Sequence, residues 1–238
     1  MRILIVNDDG MEAKQLPNLI RWCRKLGDVT TVVPKFQQSG KSHSFGMDPF
    51  EAKQVQIAED ITLWAVDSTP ADCVRFAVLG LGMAFDLVVS GVNLGLNVGR
   101  DTMYSGTVAA ACEAANLGIR AIALSTPPKG YPQATAHLDE IWEYVQKRDL
   151  FALNDIYNVN IPVEPRGIRI THQGGPYYSD DFRADPNDMY TPLGKPIWVD
   201  SGDDTLDTDA LHHGYITITP LTFDRTDWTI YRKIAENA

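Results

Sequence analysis

Positive charge, cysteine and long apolar runs are all scarce in this chain, and each shortage excludes something. Lys and Arg number 21 against 31 Asp and Glu, leaving a formal net charge of -10. The phosphate backbone of a long nucleic acid would be repelled by that overall field. An anionic substrate would need local help from a metal, backbone amides or helix ends. The three cysteines, Cys23, Cys73 and Cys112, are widely spaced in helix-like sequence. They suit buried thiols in a reducing compartment rather than a disulfide framework, so a cytoplasmic location is expected. No apolar run is long enough to span a bilayer, and the N-terminus begins directly with a strand rather than a basic-then-apolar signal, so no membrane partner is expected. Histidine is sparse too. His212 and His213 are adjacent, which does not match the spacing of a zinc site, and they are read as structural.

What is present is enough for one large core: 238 residues with 44% hydrophobic content. The expected organisation is one α/β domain over 1–238, with 167–238 as a C-terminal arm or extension. Residues 2–6 read as a strand, and Leu16, Leu19, Ile20, Cys23 and Leu26 recur at helical spacing before Gly27. Val29 to Val33 is the next strand, completing a unit of the kind that builds a parallel sheet. A pair of short strands is expected over 53–66. A helix then runs from Ser68 to about Leu79, with Thr69 as cap, Pro70 at its first position and Asp72 as a cap element. Further strands are expected over 86–90, 120–125 and near Val159, and further helices over 106–117 and 133–147.

The character changes after Pro162. A strand at 167–171 leads into a tract broken by Gly174, Gly175, Pro176, Pro186, Pro192, Gly194 and Pro196, with nine aspartates between 180 and 209. Such a long irregular tract is expected to be a hairpin arm that packs on another subunit. Residues 214–221 alternate like a strand, and a terminal helix is expected over 227–235.

Two stretches carry chemistry. In Ile3-Leu4-Ile5-Val6-Asn7-Asp8-Asp9-Gly10 an apolar run stops at an amide, two carboxylates and a glycine. Neighbouring strand residues face opposite ways, so two carboxylates can meet one cation only where the backbone leaves the strand and turns. In an open parallel sheet that point lies at the ligand-binding edge. The same residues also suit an Asx turn with Asp9 capping the next helix. The second stretch, Ser90-Gly91-Val92-Asn93-Leu94-Gly95-Leu96-Asn97-Val98-Gly99, follows a buried strand and leads through Tyr104-Ser105-Gly106-Thr107 into a helix. Glycines let backbone N–H groups approach an anion, the helix start adds a positive dipole end, and Ser105 and Thr107 offer hydroxyls. The loop is neither a Walker A sequence nor a dinucleotide fingerprint. Ser39, after the second strand, falls at the same edge as a candidate metal ligand, and Lys41 or His43 near it as a candidate phosphate contact. Without a Cys/His cluster, an oxygen shell favours Mg²⁺ or Mn²⁺ over zinc.

Asn7-Asp8-Asp9-Gly10, Ser39-Gly40, Thr69-Pro70-Ala71-Asp72-Cys73, Ser90-Gly91-Val92-Asn93, Tyr104-Ser105-Gly106-Thr107-Val108 and Gly214-Tyr215-Ile216-Thr217-Ile218-Thr219-Pro220-Leu221 stand in the order found in the SurE family. The chain resembles those stationary-phase survival proteins, which act as 5'-nucleotidases, over nearly its whole length. The resemblance implies a Rossmann-like, mostly parallel sheet flanked by helices, with a C-terminal hairpin arm and terminal helix exchanged between subunits of a homodimer or homotetramer. It implies Asp8, Asp9, Ser39 and Asn93 as ligands of a divalent metal, and Asn97, Ser105, Gly106 and Thr107 on the phosphate side. It departs from the family at Met11-Glu12-Ala13-Lys14-Gln15, where the family has a small Gly/Pro stretch, and at Lys35-Phe36-Gln37-Gln38, where the family has basic residues. Both loops border the expected site.

The expected activity is metal-dependent hydrolysis of nucleoside 5'-monophosphates, with 3'-monophosphates and short polyphosphate as further candidate substrates. Asp8 or Asp9 would orient or deprotonate the water, and the sequence does not choose between them. A haloacid-dehalogenase mechanism needs an acid two positions after the nucleophile, where Gly10 stands. A receiver domain would need Asp67 as its acceptor and a shorter chain. The remaining alternative is a non-catalytic nucleotide- or phosphate-binding regulatory protein.

Overall fold

The run Arg2–Val6 forms strand β1, and its alternation sends Ile3 and Ile5 into one apolar layer and Leu4 and Val6 into another. A strand apolar on both faces belongs in the middle of a sheet covered on both sides. The computed structural model, which describes residues 1–236, places it there. The other strands of this sheet are β2 (Asp28–Pro34), β3 (Ala52–Ala58), β4 (Ile61–Val66), β5 (Leu87–Leu94), β6 (Arg120–Thr126), β7 (Ile156–Asn160), β8 (Ile168–Ile170) and β11 (Ile216–Leu221), in the order β3-β4-β2-β1-β5-β6-β7-β11-β8. Strands β4, β2, β1, β5, β6 and β7 run parallel. Strand β3 pairs antiparallel with β4, and β11 antiparallel with β7, so the mostly parallel α/β sheet expected from the sequence has antiparallel margins. The hairpin of β9 (Asp181–Asp185) and β10 (Met189–Leu193) forms a small sheet of its own.

One face packs against α1 (Leu16–Cys23) and α4 (Leu138–Lys147) through Leu16, Leu19, Ile20, Leu138, Ile141 and Val145. The other packs against α2 (Pro70–Arg75) and α3 (Gly106–Asn116), where Ala110, Ala111 and Ala114 are fully buried and let α3 lie close to the strands. Two expected helices are shorter than their periodicity suggested. Helix α2 passes into a wider π turn at Phe76–Gly80, and α4 is preceded by a 3-10 segment at Tyr131–His137. Helix α5 (Asp207–His212) was not anticipated, because its polar sequence, with Asp207 and Asp209 in the first turn, hides five buried residues. Helix α6 (Trp228–Ala235) closes the described chain. No helix among the described residues is long and apolar enough to cross a membrane.

The feature that positions a site is the path out of β1. The chain moves to one side for β2 and returns to the other for β5, so β1 and β5 flank a topological switch point, where open α/β sheets bind ligands beyond the strands' carboxyl ends. Both Asn7-Asp8-Asp9-Gly10 and the loop after β5 leave the sheet here.

Candidate active site

At the end of β1 the Asn7 side chain closes the turn onto Gly10, its Nδ2 donating to Gly10 O at 2.9 Å and its Oδ1 accepting from Gly10 N–H at 3.1 Å. Gly10 has φ +86°, and a Cβ there would stand 3.0 Å from Phe36 C, so both the turn and the neighbouring loop require glycine. The Asx turn is therefore real but belongs to Asn7. Asp9 caps nothing on α1, whose cap position is Gln15 without a side-chain bond. Both acids are left for other work.

Asp8 is 4% exposed, and its Oδ1 accepts from the Thr107 hydroxyl. Burial pushes its carboxyl up to about 6, working against the Thr107 bond and joined by the charge of Asp9. Asp9 is also raised by burial, opposed by the Leu94 N–H, which donates to its Oδ2 at 2.9 Å. Among the described residues no basic side chain enters to offset the two charges. The Ser39 loop is tied to the same turn, because Gln38 N–H donates to Asp8 O at 2.7 Å.

Strand β5 slips in its pairing with β6 between Ser90 and Asn93, then resumes with Asn93 opposite Ser125. The Asn93 Nδ2 donates to Gly95 O at 3.0 Å, which leaves Oδ1 as its oxygen for a ligand. Asn97 is held on every side. Its N–H donates to Asn160 Oδ1 (2.8 Å), its Nδ2 to Ser125 Oγ (2.7 Å), and its O accepts from Asn158 Nδ2 (2.7 Å) and Asn160 Nδ2 (2.8 Å). Ser105 caps α3 by accepting from Val108 N–H at 3.1 Å. A Cβ on Gly106 would lie 3.0 Å from both Asp8 Cβ and Pro70 Cγ, so only glycine lets the start of α3 come this near the acid.

These elements enclose a cleft of about 250 Å³ lined by Asp8, Ser39, Asn93, Asn97 and Ser105, five of the eight residues singled out in the sequence. Asp9, Gly106 and Thr107 stand behind that lining through the contacts just given. The rest of the lining, Tyr178 and Asp180 with Asp101 and Tyr104, was not foreseen. Nor were Ser125, Asn158 and Asn160, although two asparagines spaced by two in the otherwise apolar Ile-Tyr-Asn-Val-Asn of β7 mark one polar face of a buried strand. His43 turns away from the cleft to Glu113, its Nε2 2.7 Å from Oε2. The two C-terminal histidines lie outside the cleft lining: His212 stacks on Trp198, and His213 lies between Asp200 and Asp204. A larger hollow of about 540 Å³ runs beside α3, but no carboxylate lines it.

The chemistry of the cleft is that of oxygen donors. No group of three or more His, Cys, Asp or Glu suited to a metal occurs among the described residues. Any cation here would take its charge compensation from Asp8 and Asp9 and its remaining protein ligands from neutral oxygens such as Asn93 Oδ1 and Ser39 Oγ. Two carboxylates plus neutral oxygen and water is a set that fits a hard divalent ion that keeps part of its hydration shell.

An open α/β sheet that brings paired acids and a glycine-bearing loop to a helix start at its switch point defines a phosphate-handling α/β protein. More particularly, the chain belongs to the SurE family, whose model, described as Survival protein SurE, matches residues 3–180. It is 38% identical to the 5'-nucleotidase SurE of Pelotomaculum thermopropionicum, with 98% of this chain and 94% of the relative covered. It is 40% identical to the 5'-nucleotidase SurE of Gemmatimonas aurantiaca, over 95% of this chain and 94% of the relative. The crystal structure of the SurE protein from Aquifex aeolicus superimposes with a TM-score of 0.76 at 31% identity, covering 100% of this chain and 99% of that one.

Proposed function

We propose that the chain is a 5'-nucleotidase, hydrolysing nucleoside 5'-monophosphates to nucleoside and phosphate with Mg²⁺ or Mn²⁺ held by Asp8, Asp9, Asn93 and Ser39. The observation that carries the reading is the meeting of buried Asp8 and half-buried Asp9, with no basic side chain among the described residues to offset them, at a cleft beside the start of α3. The naming of its relatives as 5'-nucleotidases supports the same reading. Hydrolysis of 3'-monophosphates and short polyphosphate is chemically accessible to the same groups.

When bound, the cation supplies charge neutralisation at the phosphoryl group and a lowered pKa for water. The protein does the rest. The positive end of α3 would offset the charge that gathers on the equatorial phosphoryl oxygens, with Asn97 and Ser105 in the cleft lining. Among the described residues, Thr107 holds Asp8 through Oδ1 and leaves Oδ2 free, while the Leu94 N–H holds Asp9 through Oδ2 and leaves Oδ1 free. Whichever of these two oxygens is not spent on the cation orients the attacking water and receives its proton.

The test is phosphate release from a panel of nucleoside monophosphates with Mg²⁺, Mn²⁺ or chelator, wild type against Asp9→Asn. Metal-dependent release lost in the variant is expected. No release with any metal would favour a binding protein without turnover. The proposal extends to a homodimer or homotetramer built through the C-terminal arm, supported by α6, none of whose described residues is buried although it carries Trp228, Ile230, Tyr231 and Ile234.

A further inference from the structure

The cleft lining holds two unlike sets of residues: acid, amide and hydroxyl groups that suit a phosphate and its cation, and Leu94, Leu96, Tyr104, Tyr178 and Asp180. A phosphate has no use for an aromatic ring or a carboxylate. A nucleoside has use for both, since a base stacks on a ring and sugar hydroxyls donate to a carboxylate.

Building on the 5'-nucleotidase reading of this cleft, we propose that Tyr178 is the platform for the nucleobase and Asp180 the acceptor for the sugar hydroxyls. The Tyr178 ring is exposed, yet the chain holds it firmly. Asp101 Oδ2 accepts from Tyr178 N–H at 2.8 Å and from Tyr177 N–H at 3.1 Å. The Tyr178 ring meets the buried Tyr177 ring edge to face at 4.9 Å. Tyr177 in turn bonds through its hydroxyl to His212 Nε2 at 2.8 Å, and His212 stacks on Trp198 at 3.8 Å. A column of rings rooted in α5 therefore supports one side chain at the mouth of the cleft, which cuts the ordering cost of binding a flat ligand.

The spacing between platform and phosphate side is fixed as well. Buried Asp207 accepts from Gly174 N–H at 2.7 Å and Gly99 N–H at 2.9 Å, joining the segment that carries Tyr178 to the loop that carries Asn97. The negative charge of Asp180 disfavours additional phosphates, which makes short polyphosphate the poorer of the accessible substrates.

The experiment compares adenosine 5'-monophosphate with ribose 5-phosphate in Mn²⁺ for wild type, Tyr178→Ala, Tyr178→Phe and Asp180→Asn, with equilibrium dialysis of adenosine 5'-monophosphate alongside. In Tyr178→Ala the ratio of kcat/KM between the two substrates falls about tenfold through KM, affinity falls in parallel, and Tyr178→Phe restores both. In Asp180→Asn the preference for adenosine 5'-monophosphate over its 2',3'-dideoxy counterpart falls. Equal losses on both substrates in Tyr178→Ala, or no loss on either, would overturn the platform while leaving the nucleotidase reading intact. A wild type that releases no phosphate but loses affinity about tenfold in Tyr178→Ala would overturn the nucleotidase reading and keep the platform. No turnover and no change in affinity would overturn both.

Discussion

At pH 8 the free protein keeps Asp8 ionised in a place where burial has moved its carboxyl up to about 6 from an ordinary 3.8. For an acid raised in the folded state, the native protein binds more protons than the unfolded chain. Stability is therefore gained as pH falls from about 6 toward 3.8, and the full penalty applies above that window, here about 3 kcal/mol. In chelator, Asp8→Asn should melt higher than wild type at pH 8 by scanning fluorimetry, with the difference shrinking toward pH 4. An equal or lower melting point at pH 8 would contradict this. If Asp8 holds the proposed cation, adding Mn²⁺ should narrow the gap by stabilising the wild-type native state more than the variant's. The acids were legible in the sequence because charge ending an apolar run is locally visible. The duty of Asp72 was only half legible. Thr69 does cap α2, but the Asp72 carboxylate also accepts from Gly46 N–H at 2.7 Å and the Ser68 hydroxyl at 2.5 Å, and the first of these partners lies on a loop 26 residues earlier. Thr107 likewise faces Asp8 rather than the open cleft, a direction set by the packing of α3 and invisible in its spacing.

Among elements, strands and long helices followed from periodicity, since each has an apolar stripe that only one geometry buries. The failures have physical causes. Helix α5 buries Asp207 and Asp209, whose bonds to the N–H groups of Gly99, Gly174, Ser201 and Asp203 come from elsewhere in the chain, so no apolar stripe announced it. Strand β7 was expected near Val159, but its task of holding the loop after β5 through Asn158 and Asn160 depends on β6 and β7 being neighbours. Asn160→Ala removes an acceptor for Asn97 N–H and a donor to Asn97 O, both buried, and should cost about 2 kcal/mol in urea unfolding. It should also raise KM more than it lowers kcat, since the loop it steadies binds phosphate in the proposed reaction. A loss confined to stability would show that Asn97 holds its place without β7.

The whole molecule presents two appendages with exposed apolar side chains, the β9–β10 hairpin, where Phe182 and Tyr190 share one face and Met189 lies on the other, and α6. Ser179 N–H donates to Lys195 O at 2.9 Å, so the ends of the hairpin meet and a short glycine linker can replace residues 181–193. Removing the hairpin in this way together with residues 224–238 should give a monomer by sedimentation equilibrium, and an unchanged mass would rule out assembly through the arm. The central position of β1 has one more consequence, which concerns the order in which the chain is made. The acids are made before β5, which completes their strand's second flank only at Leu94, and before the rest of the cleft lining, which waits for Asp180. The two carboxylates are thus synthesised ahead of what encloses them, so a growing chain carries them from β1 to Asp180 without that enclosure.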